Sequence, residues 1–128
     1  VPTDPKQLEH AVDRRRELLV RMRKLHEAMR LMLDNPEPAE LLRAAERTDS
    51  TLESFREATR TLNETLSKTP DMDAALRRTL EEQERAWVEI LEKHRGITEA
   101  LGRKLETMRS AARKKQMEKK IQSAYRNP

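Results

Sequence analysis

The chain has 128 residues, of which 35% are hydrophobic and 39% charged, and its net charge is +4. One domain fits that length, and its core must be a narrow seam, as in coiled coils and slender helical bundles. Cysteine is absent, which excludes disulfides and thiolate metal sites, and no apolar run approaches the ~20 residues that span a bilayer.

No alternating run rich in β-branched residues occurs, so no strand is expected. Asp4 followed by Pro5 marks a helix start, an acceptor side chain and then proline at the first position. From there to Leu33, one seven-residue row is Leu8, Arg15, Met22 and Met29, and a second is Ala11, Leu18, Leu25 and Met32. The rows lie three apart, the arrangement of a seam that packs against other helices. Arg15 is the misfit. Its stem is expected along the seam with the guanidinium in water; the alternative is an interior ion pair. Residues 34–38, Asp-Asn-Pro-Glu-Pro, end this helix, because a residue before proline avoids the helical region. Asn35 is expected to cap the next helix, with Pro36 at its first position, and so short a link forces an antiparallel neighbour.

The second helix is expected over 36–67. Its rows are Leu41, Thr48, Phe55, Leu62 and Ala45, Leu52, Thr59, Leu66. Threonine at core positions lowers helix propensity, so this helix should be the least stable alone. A second short link, Ser67-Lys68-Thr69, forces a second reversal.

The third helix is expected from Pro70 to Tyr125, about 56 residues and on the order of 80 Å long. Thr69 is its expected cap, Pro70 its first position, and Asp71 and Asp73 suit the positive end of the dipole. Its seam is Met72, Leu76, Leu80, Trp87, Ile90, His94, Ile97, Leu101, Leu105, Met108 and Ala112, at steps built from three and four. Pairing this helix antiparallel to the second sets Met72 beside Leu66 and exhausts its partners near Gly102. The expectation is therefore an all-α antiparallel three-helix bundle over 1–102 with a basic helical extension over 103–128. Leu18, Leu25, Phe55, Leu62, Leu80, Trp87 and Ile90 should be among the most buried side chains. Gly96 and Gly102 near the exit allow either a bend or close packing against the first link.

Charge is uneven along the chain. Residues 103–128 hold nine basic residues against Glu106 and Glu118, a net +7, which leaves −3 for the other 102. Within that segment Met117, Ile121 and Tyr125 follow at steps of four. They form a short apolar stripe suited to a groove on another protein, with cations to steer an acidic partner. Arg113, Met117, Lys120, Ile121 and Tyr125 are the expected partner contacts. A nucleic acid held by the basic residues is the rival reading, and a homodimer paired through its tails is a third.

His10, His26 and His94 match no helical metal-site spacing, and His94 is expected to pack on or beside the seam. Neither a Gly-rich phosphate loop nor a nucleophile elbow is present, and the carboxylates alternate with arginine and lysine as on a solvated helix face. A protein without enzymatic activity, metal or cofactor is expected.

Two helices of about 30 residues, a longer third, and an end reading Lys119-Lys120-Ile121-Gln122-Ser123-Ala124-Tyr125-Arg126 resemble the FlgN/FliT-type flagellar type III export chaperones. The resemblance implies a small cytoplasmic helical chaperone that holds flagellar subunits before secretion. It implies a C-terminal amphipathic helix that binds the client or the export gate, with Met117, Ile121 and Tyr125 as the matching contacts.

Overall fold

The computed structural model describes residues 4–35, 37–69 and 71–126. Three helices form, α1 (Pro5–Asp34), α2 (Pro38–Ser67) and α3 (Ala74–Arg126), and no strand occurs among the described residues. This is the all-α three-helix bundle with a long third helix. Among the described residues no helix is long and apolar enough to cross a membrane.

The first helix starts as its sequence predicts. Asp4 Oδ1 accepts from the Lys6 amide at 3.0 Å, and Pro5 takes the first position. The other two starts are corrections. Asn35 closes α1 instead of opening α2, which begins at Pro38 after an extended Glu37 that makes no side-chain cap. Glu37 precedes a proline, so the ring of Pro38 keeps it out of the helical region and fixes the start at Pro38, two residues later than expected. Thr69 does not cap α3. Its hydroxyl turns back and donates to the Thr65 carbonyl at 3.0 Å. The cap is Asp73, whose Oδ1 accepts from the Leu76 amide at 2.7 Å. Pro36 and Pro70, the expected first positions of the second and third helices, lie outside the described residues.

α1 is the common neighbour of the other two helices. It runs antiparallel to α2: Met29 lies against Thr48, Leu18 and Met22 against Phe55, and Ala11 against Leu62. It runs parallel to α3, with Val12 beside Gln83 and His26 beside His94. The expected backbone pairing of α3 with α2 does not form, since no Cα of one lies within 8 Å of a Cα of the other. They meet through side chains, chiefly the stacked rings of Phe55 and Trp87, whose centroids are 4.2 Å apart. The breadth of α1's apolar face suits its central place. Beside its two rows lies a third, Val12, Leu19 and His26, all buried. Three adjacent rows make a stripe broad enough for two neighbours.

Two apolar clusters lie in the core, beside the buried Met29, Leu41 and Ala44. One joins Leu18, Leu19, Met22, Leu52, Phe55 and Ile90; the other joins Ala11, Val12 and Leu62, with Leu76 and Leu80 packed on its edge. Leu18, Phe55, Leu62 and Ile90 are fully buried as expected, but Leu25, Leu80 and Trp87 are only half-buried. A helix that leans on α1 and stands off from α2 has its seam covered from one flank, and in α3 only Gln83 and Ile90 are closed off completely. Buried threonines are reconciled with the helix by bonding their own turn: Thr48 Oγ1 donates to the Ala44 carbonyl at 2.8 Å.

Candidate partner-binding surface

α3 stays helical through Gly96 and Gly102. Neither glycine has a positive φ, and a Cβ added at either would meet nothing within 4 Å, so close packing against the first link is overturned. Ile97, Leu101, Leu105 and Met108 remain half-buried. From Arg109 to Arg126 every residue is exposed. These last turns, about 27 Å of helix, carry all five expected partner contacts.

The phase of the apolar residues changes along α3. At about 100° per residue, the seam from Leu76 to Met108 falls within an arc of about 100°. Met117, Ile121 and Tyr125 fall on the opposite side, where they are 62%, 50% and 84% exposed. The seam-side arc of the same turns holds Lys115, Lys119 and Arg126 instead. The stripe is thus not a continuation of the intramolecular seam, and longer versions of α1 and α2 would not cover it. Nine residues separate Met108 from Met117, two and a half turns, so the change of face is legible from spacing once phase is followed. Arg113 and Lys120 border the stripe on one side. Their aliphatic stems extend its apolar width while the charges stay in water.

Two buried charged or titratable groups meet partners within the bundle: Arg15 takes the interior pairing that the sequence offered as its alternative, with Glu84 as the unforeseen partner, and His26 meets His94, a pair the sequence did not suggest. His26 is 3% exposed, and its Nε2 lies 3.1 Å from His94 Nδ1, the rings stacked with centroids 5.2 Å apart. Its other nitrogen, Nδ1, is buried without a partner. Burial first, then the neighbouring His94 and Lys93, hold the His26 pKa down to about 4. Arg23, Glu27, Arg30 and Lys93 surround the groove beside it, and Glu27 is bound by Arg30 at 2.6 Å. His94 lies on the seam as expected; His26 was missed because it belongs to the third row of α1. Among the described residues no group of three or more histidines and carboxylates is placed to hold a metal ion.

Arg15 corrects an expectation. Its guanidinium does not reach water: the side chain is 5% exposed, 3.6 Å from Glu84 and 5.0 Å above the Phe55 ring. Burial lowers its pKa from the ordinary arginine value, and Glu84 works against that shift. The contact with Glu84 is longer than a hydrogen bond, and Nε and Nη2 are buried without hydrogen-bond partners. Gln83, next in sequence to Glu84, donates from Nε2 to the Val12 carbonyl at 2.9 Å and fastens α3 to α1. Position 83 fills the gap between Leu80 and Trp87 in the seam, a step the apolar pattern alone passes over.

Compared with protein-family models, curated proteins and solved structures, the chain matches none.

Proposed function

We propose that the chain is a non-enzymatic chaperone or adaptor whose bundle is a scaffold for the exposed end of α3, which docks on a protein partner. One observation carries this reading: Met117, Ile121 and Tyr125 form an exposed stripe on the side of α3 opposite its own bundle, bordered by Arg113 and Lys120. The apolar stripe supplies affinity, and the +7 segment steers an acidic partner. The resemblance of the architecture and tail to FlgN/FliT-type proteins supports the specific form of the proposal. In that form the protein acts in the cytoplasm in flagellar export, and its partner is a flagellar subunit or an export component.

The test is a pull-down with the full chain and with a chain lacking residues 103–128, each washed at low and high salt. A flagellar client retained by the full chain through high salt, and lost with the truncation, is the expected result. A client retained equally by both chains would overturn the role of the tail.

A second reading has its own support, since the seam-side arc of the tail is basic and offers phosphate contacts at Lys115, Lys119 and Arg126. Two variants separate the readings. Ile121→Asp with Tyr125→Ala should abolish a groove-type contact and barely change phosphate binding. Lys→Gln at Lys114, Lys115, Lys119 and Lys120 should abolish phosphate binding while only weakening, not abolishing, the groove-type contact.

A further inference from the structure

We propose that α3 pairs antiparallel with α3 of a second copy, the apolar stripe of each tail and the cations on its face, Arg113, Lys114 and Lys120, lying on an acidic strip of the other. The strip is residues 81–92, where Glu81, Glu82, Glu84, Glu89 and Glu92 stand against Arg85 alone, a net −4. Glu81, Glu84, Arg85, Val88, Glu89 and Glu92 line one shallow groove on the outer face of α3, with Val88 49% exposed at its centre. At about 100° per residue this groove and the stripe of Met117, Ile121 and Tyr125 lie on the same side of α3, away from α1. Apart from Glu84, which reaches Arg15 of α1 at the groove's edge, the two patches face away from the bundle, are alike in having an apolar centre, and are opposite in charge.

They cannot meet within one chain. Val88 and Ile121 sit on a single unbroken helix, 33 residues and about 50 Å apart. Only another molecule can bring a tail to a strip, and a two-fold antiparallel pair does so twice with one operation. Setting Val88 opposite Ile121 also sets Glu89 opposite Lys120 and Arg103 opposite Glu106. α1 packs against the seam side of α3, and α2 meets α3 through side chains such as Phe55 on Trp87, also on the seam. Tail-to-tail pairing is disfavoured by comparison, since it would set two +7 segments side by side. This pairing rests on the tail being a docking helix, as the proposed function does, but it is tested with no client present.

Sedimentation of the full chain at low and high salt is the measurement. A dimer at low salt that weakens at least tenfold at high salt is expected. Glu89→Lys with Glu92→Lys should give a monomer, and so should Arg113→Glu with Lys120→Glu, each with unchanged helix content. An equimolar mixture of the two variants should dimerise again, because each then meets the opposite charge at both contacts. A full chain that stays monomeric at low salt, a dimer indifferent to either reversal, or a mixture that fails to re-associate overturns the pairing. Capture of a client in the pull-down is read separately, so failure of the dimer and failure of the export reading are distinguishable.

Discussion

The Nε2 of His26 lies 3.1 Å from Nδ1 of His94, and this contact joins α1 to α3 near the end of the bundle. The His26 pKa of about 4 lies below its ordinary 6.5, so the unfolded chain takes up a proton that the folded chain refuses. Its contribution to stability is therefore complete above pH 6.5 and is lost as pH falls towards 4. The neighbouring His94 and Lys93 of α3 reinforce the sign; around the groove beside it stand Arg23, Lys93 and the Glu27–Arg30 pair. A fall of roughly 3 kcal/mol between pH 7 and pH 4 is expected from this residue. Denaturant melts across that range, compared with His26→Leu, check it. An equally steep loss in the variant would assign the acid sensitivity to the carboxylates.

Arg15 yields a prediction of opposite signs for two substitutions. A buried charge with an imperfect partner contributes little net stability, and an apolar side chain of similar volume often does better. Arg15→Met should therefore leave the melting midpoint unchanged or raise it. Arg15→Ala, which opens a cavity beside Phe55, should cost about 2–5 kcal/mol, as for other large-to-small core changes. Equal losses in both variants would mean that the contacts with Glu84 and Phe55 hold the helices together.

Gly96 and Gly102 sit in regular helix with open space beside them. Alanine at either should stabilise the protein by about 0.5–1 kcal/mol, a gain of a few degrees in Tm. Thermal melts of the two single variants measure it. A loss would show that a neighbouring molecule approaches the helix there.

The tail should be the least protected helix in the molecule. An isolated helix of about 20 residues is marginal in water, and residues 109–126 have no intramolecular partner. In the monomer, hydrogen exchange should be fast there and slow across the α1–α2 interface. Protection equal to that of the bundle in a proven monomer would mean that the tail folds back on its own chain, and the docking surface would be lost.

Periodicity in the sequence was enough for three helices, two reversals and an overhang. Proline and its predecessor punctuate the chain, and seven-residue rows define faces, whatever those faces later meet. The tail residues Arg113, Met117, Lys120, Ile121 and Tyr125 were legible as exposed for the same reason, since α3 outlasts both neighbours. What the chain alone did not determine is which neighbour each face chooses. α3 stands beside α1 because the row of Val12, Leu19 and His26 widens the face of α1, and two helices compete for it. That choice leaves Trp87 and Leu80 half-covered, sets His26 on His94, and closes Arg15 under Glu84. These are contacts between residues some 70 positions apart. Local propensity carries no information about them; they depend on the angle and register at which helices pack, which only the tertiary structure supplies.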